Sequence, residues 1–319
     1  MSPKCLQLIN FSSLILFYPK QLKGKIEMSN TPKELVVNWH ITEACNYKCD
    51  YCFAKWDGNS KEILHSQFKV EALFEQIENI RHLLNKKSQM IYFDKLRLNL
   101  VGGETFLYGR QLEDIVNLSK KYGFKLSAIT NGSLFNVENI ELIAKNFSSI
   151  GISVDSLNEQ TNLAIGRASK KGVFNPSEVL TAINHVKKYS PNIEIKINTV
   201  VNKFNVSEDL SNFIAQIKPK KWKIFKLLPV YSNKLVILDQ EFSQFLQRHS
   251  NFESIISAEN NDDMTESYLM IDPLGRFFQN GLADGYNYSA PLWETSAEMA
   301  LQQINFESKK FINRYKRII

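Results

Sequence analysis

From residue 35 to about residue 230, short runs of apolar and β-branched residues alternate with stretches whose apolar side chains recur at helical spacing. A chain patterned this way folds as repeated βα units around a parallel sheet, because each strand hands over to a helix that covers one face before the next strand is laid alongside. The strands expected are LVVNWHI (35–41), LRLNLV (96–101), KLSAIT (125–130), SIGISVD (149–155), IEIKINTVV (193–201) and KWKIFKLLPV (221–230). Val70, Leu73, Phe74, Ile77, Ile80 and Leu84 fall on one face of a helix over 67–86, and further helices are expected over 136–146, 176–189 and 207–217. Six units are too few for a closed eight-stranded barrel. After residue 235 the character changes: SYLMIDPLGRFFQN reads as a hairpin and the last residues as helix. The fold class is therefore α/β, a partial (βα)6 barrel over 31–235 with a C-terminal extension of hairpin and helix over 236–319 that closes the active site. Ligands of parallel sheets sit at the C-terminal strand ends, which here gathers the loop after residue 41, Gly102–Glu104, Thr130–Asn131 and Ser153–Asp155 around one mouth.

Residues 1–30 are read apart, as a leader that is disordered or precedes the native start, with Met28 an internal alternative. Within it CLQLINFSSLILFY is apolar over 14 residues, short of the roughly 20 that span a bilayer. It has the makings of a signal-peptide core or an interfacial helix, but Lys4 is a thin basic flank and no small-residue cleavage site follows. No stable membrane insertion is expected. The net charge of +6 suits an anionic partner, and its spread along the chain favours a small anion over nucleic acid.

Three of the four cysteines fall in CNYKCDYC, as Cys45, Cys49 and Cys52. Such density fits metal binding in a reducing, cytoplasmic compartment better than disulfides, which need pairs placed to close loops. The C-x3-C-x2-C spacing lets three thiolates grip one face of a [4Fe-4S] cube and leave one iron open for a small molecule such as S-adenosylmethionine (SAM). Two alternatives use the same thiols: a Cys3His zinc site with His40, or a four-cysteine cluster with Cys5. Zinc sites commonly separate two close ligand pairs by a gap, His40 lies on the strand itself, and Cys5 lies in the leader, so the open-iron reading is preferred. Tyr51 can pack on an adenine, and Gly102 and Gly103 permit close approach to a ligand before Glu104.

The blocks NWHITEACNYKCDYCFAKW, LVGGETF, ITNGSL, ISVDS with NLAIGR, KINTVVNKFN, KKWKIFK and MTESYLMIDPLGRF, in this order over roughly residues 35–280, resemble radical SAM enzymes, and among them the viperin family, prokaryotic members especially. The resemblance implies a radical SAM barrel and an antiviral enzyme that dehydrates a ribonucleoside triphosphate (CTP, UTP or GTP) to its 3′-deoxy-3′,4′-didehydro form. It implies cluster ligation by Cys45, Cys49 and Cys52, and SAM contacts from Tyr51, Gly102, Gly103, Glu104, Thr130, Asn131, Ser153 and Arg167. It also implies nucleotide contacts from Asn38, His40, Lys196, Asn198, Lys221 and Lys223. An electron donor such as a flavodoxin or ferredoxin is the expected partner, and a monomer the expected state. No catalytic residue beyond the cluster and SAM is implied.

Read without the family, Lys221 and Lys223 belong to a basic run of the sort that is often solvated, whereas Lys196 interrupts a buried-looking strand where an unpaired ammonium is costly. Ser267, Tyr268 and Arg276 are expected in a hairpin closing over the nucleotide, or simply packing. The chain departs from the family at Thr105, where many members carry Pro, at Lys221, where animal members carry Arg, and at its end NRYKRII, which lacks their terminal Trp. Two rivals stand beside the dehydratase: another single-cluster radical SAM reaction, and a non-enzymatic metal protein that binds nucleic acid. No cysteine follows Cys52 to hold an auxiliary cluster.

Overall fold

Strand β1 (Glu34–His40) opens the sheet, with Leu35, Val37 and Trp39 fully buried and Glu34 and Asn38 half-buried. Alternation of this kind sends odd positions to one face and even positions to the other. The computed structural model describes residues 33–54, 62–87, 92–229, 233–280, 286–307 and 309–312; the leader and NRYKRII from Asn313 on lie outside them. The order is β1, α1 (Gln67–Lys87), β2 (Lys95–Val101), α2 (Gly109–Lys121), β3 (Lys125–Thr130), α3 (Val137–Asn146), β4 (Phe147–Ser153), α4 (Glu159–Ile165) and the small ribbon β5 (Ala168–Ser169) and β6 (Gly172–Val173). It continues through α5 (Pro176–Tyr189), β7 (Glu194–Val201), α6 (Ser211–Ile217), β8 (Lys221–Lys226), α7 (Asp239–Arg248), β9 (Ile256–Glu259), α8 (Asn261–Met264), β10 (Leu269–Ile271), β11 (Arg276–Asn280), β12 (Tyr286–Pro291) and α9 (Ala297–Leu301).

The main sheet runs β12-β11-β10-β1-β2-β3-β4-β7-β8-β9. Every pairing from β10 through β9 is parallel, and only β11 and β12 run antiparallel. The six expected strands form its centre. The C-terminal extension adds β9 beside β8 and β10 beside β1, so SYLMI both starts the expected hairpin and extends the parallel sheet. The helices begin and end where expected to within a residue except α6, which starts at Ser211, because Asn202–Val206 form turns closed on the Asn202 and Asn205 amides. Helices α2, α4, α7 and α8 have no counterpart among the expected helices.

The outer face of the strands is apolar and packs on the helices in one core, with Trp39 edge-on to Phe74 of α1 and Trp222 edge-on to His249 and Phe252. Full burial of such an indole contributes about 4–6 kcal/mol at most. The inner face is polar at nearly every strand: Asn38, Asn99, Ser127, Ser149, Lys196 and Lys223 alternate with the buried apolar set. A barrel lined this way is built to hold a polar ligand and not a packed core.

Candidate functional site

Strand β1 delivers the chain into the cysteine loop, residues 41–54, and neighbouring elements hold that loop largely by its backbone. The Gly103 amide donates to the Thr42 carbonyl (2.7 Å) and the Glu104 amide to that of Ala44 (2.9 Å). A Cβ on Gly103 would lie 2.2 Å from the Ala44 oxygen, and one on Gly102 2.7 Å from the Thr42 oxygen. The close approach these glycines permit is thus to the chain's own cysteine loop. Across the loop, the Lys48 and Asp50 amides donate to Gly166 and Ile165. Gly166 caps α4 at φ +85°, where a Cβ would lie 2.2 Å from the Lys48 oxygen. Asn131 Nδ2 donates to Asn46 Oδ1 (2.9 Å) and lies 3.8 Å from Cys45 Sγ.

Glu104 is 1% exposed and accepts from Thr130 Oγ1 (2.7 Å), the Asn131 amide (2.8 Å) and the Phe106 amide (3.1 Å). Burial raises its pKa against the pull of these donors. Arg167 is buried too: Nη1 meets Asp155 Oδ2 at 3.2 Å, Nη2 donates to the Ser153 carbonyl at 2.5 Å, and Nε is buried without a hydrogen-bond partner. Burial is the largest influence and opposes its charge, but Asp155, Tyr51 and Cys49 together outweigh it and raise its pKa. The Tyr51 hydroxyl also donates to Asp155, whose other oxygen accepts the Val200 amide. Cys45 is exposed, and Cys49 and Cys52 are half-buried; burial pushes the Cys49 thiol up to about 12.

Lower on the inner face, Lys196 stands opposite Lys221, and Asn198 opposite Lys223. Lys196 Nζ donates to Ser149 Oγ (3.1 Å) and lies 3.6 Å from Glu194, with its pKa lowered by burial to about 8. Lys223 meets Glu259 (2.8 Å) and the Tyr268 hydroxyl (2.7 Å). His40 packs edge-on between Phe53 and Phe278, and burial drops its pKa to about 3, so the ring is neutral. Ser267 Oγ donates to the Asp263 carbonyl and Arg276 pairs with Asp272 while stacking on Tyr288, so both are committed within the extension. Asp155, Asn99, Ser127 and Glu259 were absent from the expected set. The first three carry a legible signal, a polar residue at the inward register of an apolar strand or at its end; Glu259 sits on a four-residue strand too short to show a period.

The Radical SAM superfamily model matches residues 39–217. An S-adenosylmethionine-dependent nucleotide dehydratase from Psychrobacter lutiphocae is 51% identical over 286 residues, 89% of this chain and 96% of that one. The chain belongs to the radical SAM superfamily, in its family of nucleotide dehydratases. Another dehydratase of that name, from Pseudoalteromonas ulvae, is 38% identical over 90% of this chain and 94% of its own. The S-adenosylmethionine-dependent nucleotide dehydratase RSAD2 of Danio rerio is 30% identical over 92% and 80%. Among solved structures, native anSMEcpe with bound AdoMet has a TM-score of 0.61 at 16% identity over 88% of this chain and 83% of that one, a likeness of fold.

As a radical SAM enzyme it uses a [4Fe-4S] cluster and SAM. The residues present fit both. Three thiols on one glycine-seated loop are the soft donors that iron–sulfur clusters take. No three Cys, His, Asp or Glu among the described residues converge as ligands of one metal ion. For SAM, the orphaned Arg167 Nε and the buried Glu104 carboxylate supply opposite charges beside the loop, matching a carboxylate and an ammonium.

Proposed function

We propose that this enzyme dehydrates a ribonucleoside triphosphate, CTP, UTP or GTP, to its 3′-deoxy-3′,4′-didehydro analogue, a chain terminator that serves antiviral defence. The observation that carries the reading is the row of lysines on adjacent strands of a polar inner face, Lys196 opposite Lys221 and Lys223 one step further. They give a triphosphate the positive charge it needs, while Asn38, His40 and Asn198 take the nucleoside. Cys45, Cys49 and Cys52 hold the cluster, and Tyr51, Gly102, Gly103, Glu104, Thr130, Asn131, Ser153 and Arg167 hold SAM.

When bound and reduced, cluster and SAM supply a 5′-deoxyadenosyl radical. The protein's task is to fix the ribose, so that a hydrogen atom leaves C4′ and hydroxide leaves C3′. With one proton and a second electron from the donor, the products are water and the 3′,4′ double bond. His40, neutral and wedged between rings, offers shape and a hydrogen bond but no charge.

The reading includes a monomer working in the cytoplasm with a flavodoxin or ferredoxin as donor, residues 31–235 as barrel and 236–319 as an extension closing the site. Among the described residues no helix is long and apolar enough to cross a membrane. The test is anaerobic incubation of reconstituted enzyme with dithionite, SAM and each of the four ribonucleoside triphosphates, read by mass spectrometry. A nucleotide lighter by one water, formed with 5′-deoxyadenosine and lost in Cys49→Ala, is expected. 5′-Deoxyadenosine released alike with and without every triphosphate would overturn it.

A further inference from the structure

Across the inner face runs a row of hydrogen bonds whose direction is settled at its Leu269 end. Arg97 on β2 is anchored by Glu34, Nε to Oε2 at 2.7 Å, with Lys125 3.4 Å from the other carboxylate oxygen. A guanidinium only donates, so Ser127 Oγ, 3.0 Å from Nη1, accepts. The hydrogen of that hydroxyl goes to the Asn99 carbonyl oxygen, 2.7 Å away. The Asn99 amide nitrogen then faces Asn38 at 2.8 Å, and the atom it meets is the Asn38 carbonyl oxygen. That leaves the Asn38 nitrogen toward the Leu269 carbonyl at 3.3 Å, a group that only accepts. The Leu269 carbonyl thus sets the orientation of Asn38 and, through it, of Asn99, and the donor-only guanidinium is compatible with that direction.

Asn38, Asn99 and Ser127 are in register on β1, β2 and β3, and Asn99 and Ser127 are buried. Each asparagine turns its carbonyl oxygen into the row and keeps one N–H hydrogen beyond the bond it donates there. We infer that Arg97, Ser127 and Asn99 are positioning residues for the nucleotide: they lock the Asn38 amide so that the site meets its ligand with N–H donors. An N–H held in this way suits an oxygen acceptor, a ribose oxygen or a base carbonyl. This rests on the reading of the inner face as the nucleotide site, in which Asn38 and Lys196 take part. Arg97, four strands from Lys221, is committed to Glu34 and Ser127, so it serves the site through Asn38 and not through the phosphates.

The test is calorimetric titration of the cluster-loaded enzyme, without SAM, with each of the four ribonucleoside triphosphates, for the native chain, Ser127→Ala, Ser127→Thr and Lys196→Ala. Ser127→Ala removes the hydroxyl that holds the Asn99 carbonyl oxygen and loosens the row behind Asn38, and affinity for the preferred triphosphate should fall about tenfold. Ser127→Thr keeps the hydroxyl and should restore binding to within about twofold. The change that SAM makes to the reduced cluster's electron paramagnetic resonance should be the same in both. Native-like affinity in Ser127→Ala, or an equal defect in Ser127→Thr, overturns the relay. If Lys196→Ala also binds normally, the nucleotide-site reading has failed; if it alone weakens binding, only the relay has. Should Ser127→Ala melt too low to titrate, Arg97→Gln carries the test, since it removes the charged donor that anchors Ser127 between Glu34 and the row; unchanged affinity there overturns the relay as well.

Discussion

Lys196 shows what one residue contributes when its environment is unfavourable to its charge. It interrupts an apolar strand, finds Ser149 and Glu194 as partners, and is still pushed down by burial to about 8. Below that pH the ammonium is present to meet a triphosphate, and above it the charge is lost. Nucleotide affinity should therefore fall as pH rises through about 8, and Lys196→Arg should flatten that fall, both read by binding titrations from pH 7 to 9. A profile unchanged by Lys196→Arg would remove Lys196 from the phosphate site. For folding the sign runs oppositely: a lysine whose folded value lies below the ordinary one of about 10.4 costs stability while charged, so its contribution improves as pH rises from about 8 toward that value. The cysteines were legible at this scale because their spacing is local. Asp155 is legible as a polar residue at a strand end, but its role is not, because its partners Tyr51, Arg167 and Val200 converge on it from 104, 12 and 45 residues away.

At the scale of the element, the cysteine loop owes its placement to neighbours that carry no thiol. Gly103→Ala would drive a methyl into the Ala44 and Glu43 carbonyl oxygens, 2.2 and 2.4 Å away, and backbone cannot step aside cheaply. We expect that variant to keep its secondary structure by circular dichroism but to lose most of its iron and its charge-transfer absorbance after reconstitution. Gly109→Ala is the control, because nothing lies within 4 Å of the added carbon; equal iron retention by the two would show that the loop does not depend on this seat. The GG pair was readable as a site of close approach, but not what approaches. That depends on β1 and β2 being parallel neighbours with His40 beside Val101, a pairing that no local pattern encodes.

For the molecule as a whole, residues beyond 235 belong structurally to the sheet that the first six strands begin. Strand β10 pairs with β1 and buries Leu269 and Ile271 completely, and β9 pairs with β8. A chain ended at residue 235 would expose both edges and the apolar positions they cover. It should lose cooperative thermal unfolding and be cut by protease within the barrel, whereas a sharp transition would mark 236–319 as separable. The sequence by itself determined the βα order, the helical faces and the thiol cluster, since periodicity and spacing are properties of adjacent residues. Tertiary structure alone decided that the extension's strands join the parallel sheet on both edges, that the glycine pair seats the cysteine loop, and that Arg97, Ser127, Asn99 and Asn38 form one directed row. Those outcomes depend on which strands become neighbours and in what register, and register is set by the packing of the whole core.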